Sequence, residues 1–202
     1  MKTIYHQIEI VDANCTGCYR CERACPTAAI HMEGPQQSAL AIVNNDRCIA
    51  CMRCIDACDD DAMLAVERDE PLEVGIDVEA VDDAAINELC RKAKLDPELL
   101  VCVCSGTQAK EVAAAIVLGS HTYEDVELVT GVQSGCLLYC SVPLRRLLTA
   151  YDGNPRSTSK LRRVPIDMAL LDVPPEVDKL YPTFGLGVEQ AIAVATLDEL
   201  GG

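Results

Sequence analysis

The sequence predicts an α+β chain: a strand-and-loop N-terminal unit, then a small all-α unit, then an extended C-terminal tail. Three observations carry this. CTGCYRCERACPTAAI (15–30) recurs 33 residues later as CIACMRCIDACDDDAM (48–63), with all four cysteines, Arg20/Arg53, Ala24/Ala57 and Ala29/Ala62 aligned. Beyond residue 81, cap and stop signals succeed one another at helical spacing. From Asp152 onward five prolines and little periodicity remain. The expected boundaries are 1–66, a linker with one helix over 67–95, a helical domain over 96–150, and a tail over 151–202.

The alternating segments Ile4–Val11 and Ala39–Val43 read as strands ahead of each cysteine run, and Gly34-Pro35 as the turn between the copies. Each copy then reads as strand, cysteine loop, and a short helix after the fourth cysteine. Glu67–Val81 (ERDEPLEVGIDVEAV) is acidic and aperiodic, and reads as a linker. Asp82 or Asp83 caps a helix to about Lys94, with Pro97 beyond it. Ser105-x-x-Gln108 reads as a capping box opening a helix that Gly119 ends. Thr122-x-x-Asp125 opens a shorter one closed by Gly131, and Pro143 suits the first turn of LRRLLTAY. A last short helix is expected near Val188–Leu197. The apolar stretches IDMALLDV and VEQAIAVATL favour a tail that wraps a partner subunit over a disordered one.

Half of the residues are hydrophobic, yet the chain has one Phe, six Tyr and no Trp, so the core must be built from Ala, Val, Leu and Ile. Bound metal is the natural additional source of stability. MKTIYHQIEIVDAN lacks the basic start and apolar run of a signal peptide, and no stretch approaches a membrane span. The expected location is therefore the cytoplasm, where clustered cysteines bind metal instead of forming disulfides. A formal charge of −15 argues against nucleic acid and suits docking on a basic partner surface; for a single acidic residue, solubility is the plainer reading.

Cys15-x2-Cys18-x2-Cys21-x3-Cys25-Pro26 and Cys48-x2-Cys51-x2-Cys54-x3-Cys58 have cubane spacing. Three thiolates at i, i+3 and i+6 reach three irons of one cluster, while the displaced fourth reaches the other cluster. Over about residues 1–66 the chain resembles the bacterial-type ferredoxins with two 4Fe–4S clusters. The crossed sets are Cys15, Cys18, Cys21 and Cys58 for one cluster, and Cys48, Cys51, Cys54 and Cys25 for the other. Structural zinc fits two identical four-cysteine runs poorly. The proline after the fourth cysteine is replaced in the second copy by Asp59-Asp60-Asp61. These carboxylates either lower the potential of the cluster held by Cys58, or form a solvated face or docking patch.

Cys102-x-Cys104, 31 residues, then Cys136-x3-Cys140 is a second group. With TGxxSGC over Thr130–Cys136, it resembles the 2Fe–2S domain of bacterioferritin-associated ferredoxins over about residues 96–150. The resemblance implies one 2Fe–2S cluster on Cys102, Cys104, Cys136 and Cys140. The closing pair departs by one extra residue, and zinc is the competing occupant. Cys90 reads as a buried small hydrophobe. His6, His31 and His121 are isolated and read as surface or packing residues.

No dinucleotide fingerprint, P-loop or triad is visible. The reading that follows is a non-catalytic electron-transfer subunit with two 4Fe–4S clusters and one 2Fe–2S cluster. It implies a hetero-oligomer with a larger catalytic oxidoreductase subunit, a flavin enzyme among the candidates, and neither nucleic acid nor membrane as partner. The alternatives are a free soluble ferredoxin-type carrier and an iron- or redox-sensing protein.

Overall fold

In the computed structural model, residues 2–35, 38–153, 155–159 and 173–199 are described. The fold is mixed α and β, and the chain divides into two compact units, Met1–Val164 and Pro165–Gly202. Among the described residues no helix is long and apolar enough to cross a membrane.

The first unit begins with β1 (Lys2–Ile10), and the first cysteine run leads through α1 (Arg20–Ala24) into β2 (Ile30–Glu33). Then follow β3 (Leu40–Val43), the second run with α2 (Arg53–Asp56), and β4 (Met63–Val74). β1 pairs antiparallel with β4, and β2 with β3. The short helices carry the third cysteine of each run, and the fourth is followed by a strand. That corrects the expected order, which put the helix after the fourth cysteine. Cys25 has extended backbone (φ −73°, ψ 114°); the residue before a proline is pushed out of the α region, so α1 cannot continue through it.

A second correction concerns residues 67–74, expected as linker, which form the last two thirds of β4. Their alternation is hard to read because the β1–β4 ribbon is wetted over much of both faces, so charged residues occupy positions on either side. Pro71 is tolerated there because a two-stranded ribbon offers it an unpaired edge.

The helical half is built on α3 (Asp83–Lys92), the hairpin of β5 (Leu100–Cys102) and β6 (Thr107–Gln108), α4 (Ala109–Val117), α5 (Tyr123–Thr130) and α6 (Ser141–Asp152). Asp82 caps α3, accepting from Ala84 N–H at 3.1 Å. Thr122 caps α5, accepting from Asp125 N–H at 3.2 Å, and Gly131 closes it in the left-handed conformation. α4 starts later than expected. Ser105 lies in the β5–β6 turn, and the box is Gln108/Glu111, whose carboxylate accepts from Gln108 N–H at 2.7 Å. α4 is the central element, packed against α3, α5 and α6 with its 112–116 run wholly buried. An alanine-rich helix suits that place because it lets three neighbours approach closely. Tyr123 is the one aromatic in this core; aliphatic side chains and three cysteines, Cys90 among them, fill the rest.

Glu124 is fully buried, and the 155–159 segment satisfies it: Ser157 Oγ and Thr158 N–H both donate to its carboxylate. In the second unit, α7 (Pro175–Leu180) corrects the expectation of an extended tail there, while α8 (Leu186–Glu199) covers the short helix expected near Val188–Leu197. Gln190 Nε2 donates to Val173 O at 2.8 Å, and Gly187 N–H to Asp178 Oδ1 at 3.1 Å. Most of IDMALLDV lies outside the described residues.

Candidate metal centres

The two cysteine loops repeat each other in backbone as well as sequence. Each enters through one 3-10 turn, with Cys15 N–H donating to Asp12 O and Cys48 N–H to Asn45 O. Each then carries left-handed residues at the same three places: Gly17 and Ala50 (φ 70° and 50°), Tyr19 and Met52 (64° and 63°), Ala28 and Asp61 (both 51°). Five of these six are not glycine, and left-handed backbone costs an L-residue about 1–2 kcal/mol. Such strain, repeated at matched positions, marks a loop wrapped around something it must hold. Gly17 has a steric reason as well, since a Cβ there would sit 2.7 Å from Ala39 O.

The side chains gather around two cavities. Cys15, Cys18, Cys21 and Cys58 line one, with Met32 and Met63 closing its apolar side. Cys25, Cys48, Cys51 and Cys54 line the other, beneath Ile8 and Ile30. These are the two groupings that crossed ligation requires. The fourth cysteines share a further device: Cys25 Sγ accepts from Ala29 N–H at 3.2 Å, and Cys58 Sγ from Ala62 N–H at 3.4 Å. An amide donated to sulfur raises the potential of a bound centre.

Burial disfavours the charged form of the inner thiols. It pushes Cys21 up to about 11 and Cys54 up to about 12, and raises Cys48 and Cys51, with Arg53 opposing the shift at Cys51. Cationic iron reverses that preference, because binding requires the deprotonated ligand. Thiols set around a cavity suit a multi-iron cluster better than one tetrahedral zinc.

In the third group, Cys102 and Cys140 are buried while Cys104 and Cys136 are exposed. Cys136 N–H donates to Cys104 Sγ at 3.4 Å, and Gln133 and Leu137 adopt left-handed backbone (φ 64° and 62°). A Cβ on Gly135 would fall 2.5 Å from Cys104 Cβ and 2.6 Å from its sulfur, so only glycine lets the two loops close here. Within the buried pair Cys102 ionises first. Burial raises it, but hydrogen bonds from Ser105, Gln133 N–H and Cys140 outweigh that, whereas burial and the Cys102 charge push Cys140 up to about 12. Hydrogen bonds from Leu138 N–H and Cys104 lower Cys136. Between Cys136 and Cys140, Leu138 and Tyr139 are exposed.

The remaining expected features are local. His31 faces Glu33 at 3.0 Å, and His121 stacks on Tyr151 at 4.6 Å. Of the aspartate triplet, Asp60 accepts from Thr16 Oγ1 at 2.8 Å and lines the first cavity, while Asp59 pairs with Arg20. Four residues carry contacts that motif reading missed. Arg47 Nη2 meets Asp125 Oδ1 at 3.0 Å. Arg53 Nε donates to Ala24 O at 3.2 Å and its Nη1 donates to Gly135 O. Arg68 donates to Cys48 O at 3.1 Å, and Gly135 clears room for Cys104. The alignment of Arg20 with Arg53 was the available signal for one of them.

No curated protein and no solved structure matches the chain. Family models do: residues 14–62 match a 4Fe-4S dicluster domain and residues 100–150 a BFD-like 2Fe-2S binding domain. Domains of these kinds carry electrons on iron–sulfur clusters. The chain therefore joins a 4Fe-4S dicluster domain to a BFD-like 2Fe-2S binding domain, in that order along the sequence.

Proposed function

We propose that this chain is an iron–sulfur electron-transfer subunit, relaying electrons between a catalytic partner and another carrier within a larger oxidoreductase. Cys15, Cys18, Cys21 and Cys58 hold one 4Fe–4S cluster; Cys25, Cys48, Cys51 and Cys54 hold a second; Cys102, Cys104, Cys136 and Cys140 hold a 2Fe–2S cluster. The clusters supply one-electron carriers. The residues hold them, set their burial and aim amide hydrogens at sulfur. The observation that carries the reading is three separate cysteine groups within the one unit Met1–Val164.

A subunit role is supported by apolar surface in two places. Val103, Leu138 and Tyr139 are exposed beside the third group, and Leu180, Tyr181, Phe184, Val188 and Ile192 are exposed on the second unit. Such surfaces favour a standing partner over brief encounters, and a flavin-containing catalytic subunit is the partner class proposed. The test is anaerobic affinity purification from the native cell, with iron, sulfide and zinc quantified. About ten irons per chain and a co-purifying oxidoreductase subunit are expected. About eight irons with one zinc would remove the third centre, and a chain recovered alone would favour the free carrier.

A further inference from the structure

The two 4Fe–4S loops are near copies, but among the described residues the second carries polar contacts to the helical half. In the first loop the polar contacts turn back into the N-terminal half: Asn14 to Asp61 O, Thr16 to Asp60, Arg20 to Asp59. In the second they reach out. Arg47 pairs with Asp125 on α5, and Arg53 donates to Gly135 O, next to Cys136. Cys51 and Arg53 line one side of a cleft whose other side is Gly135 and Cys136. A neighbouring cleft brings Cys51 against Val129 and Gly131.

We propose that Arg53 is a positioning residue that couples the second cysteine group to the third, making Cys51–Arg53–Gly135–Cys136 the junction electrons cross. The inference rests on the electron-transfer reading above and adds the order: first group, second group, third group. Its step is the passage of one electron, which oxidises the giving centre and reduces the receiving one, with no bond made or broken and no proton moved. Arg53 acts in two ways. Its fork joins Ala24 O, ahead of Cys25, to Gly135 O, ahead of Cys136, and so fixes the separation of the two groups. Its fixed positive charge also stands between two sites that each become more negative on reduction. Arg20, the matched residue, has its charge met by Asp59 and spans nothing beyond its own half.

The test uses full-length protein with its clusters assembled anaerobically, comparing wild type with R53A, R53K and R20A. Three quantities are read: iron and sulfide content, the spin-relaxation enhancement of the reduced 2Fe–2S EPR signal by its neighbour, and the intramolecular electron-exchange rate after pulse radiolysis. R53A should keep about ten irons yet show weaker relaxation enhancement. Its exchange should slow about tenfold, equivalent to about 1.4 kcal/mol of barrier. R53K keeps the charge without the planar fork and should fall between; R20A should behave as wild type. Wild-type exchange in R53A, or equal slowing in R20A, overturns the junction while leaving the electron-transfer reading intact. If R53A loses iron, R53K decides, wild-type exchange in it counting against the proposal. A wild type without any 2Fe–2S signal defeats both the reading and the junction.

Discussion

The two halves of the first unit are stabilised by different materials. In the strand-and-loop half the buried cluster among the described residues has eight members, three of them cysteines, leaving Ile8, Ala29, Ile30, Ala41 and Met63. The helical half buries twenty, of which three are cysteines and most are aliphatic, layered around α4. Five modest apolar side chains cannot offset the entropy of ordering some seventy residues together with five left-handed non-glycine positions. The helical core can come far closer to doing so alone. The lesson is that in one half cysteines are a large share of the buried core, and in the other Cys102 and Cys140 join a core that is mostly aliphatic.

The most demanding way to break this contrast is to remove the iron. Structural metal sites contribute on the order of 10 kcal/mol to folding. Anaerobic chelation should therefore abolish amide-exchange protection across β1–β4 while α3–α6 keep theirs. Retained protection in β1–β4 after chelation would show that the small aliphatic cluster suffices, and the contrast would fall.

A more local change sharpens the same comparison from the helical side. Gly135→Ala places a Cβ where Cys104 stands. Because Gly135 lies outside the α4-centred core, the expected result is loss of the 2Fe–2S absorption and EPR signals with the 4Fe–4S signals and the thermal unfolding of the metal-free helical half preserved. A full iron complement in this variant would mean that the loops are free to part without cost.

What the sequence made legible follows from how much each signal depends on neighbours. Cysteine spacing is a local constraint repeated at a fixed offset, so the grouping of the first eight thiols was readable before any fold was known. Thr122 and Gly131 were equally plain, since a cap and a left-handed stop act within one helix. β4 was not, because a ribbon wetted on both faces loses the alternation by which strands are recognised. The helix start at Gln108 was missed for another reason: Ser105 offers the same chemistry three residues earlier but is committed to the β5–β6 turn, where its hydroxyl meets Thr107 Oγ1 at 2.6 Å. Arg53 was visible only as a repeat match to Arg20. Their different roles come from tertiary neighbours that no local pattern encodes.

The smallest expected effect tests whether the helical core treats its non-ligand cysteine as a hydrophobe. Cys90 is fully buried on α3, and burial, with a lesser contribution from Asp96, pushes its thiol up to about 11. The folded state thus keeps the proton that the unfolded chain releases at lower pH. A raised value of this kind leaves stability untouched below about pH 9 and withdraws it as pH climbs to about 11. Thiols that bind iron do not titrate as free groups, so in the iron-loaded protein the difference between wild type and Cys90→Ala isolates this residue. At pH 7–8 the variant should be less stable by about 1 kcal/mol, from the lost sulfur contacts, and the gap should close as pH rises through that window. A gap that stays constant from pH 8 to 11 would mean that water reaches Cys90, and that the helical core is less complete around α3 than the contrast between the two halves requires.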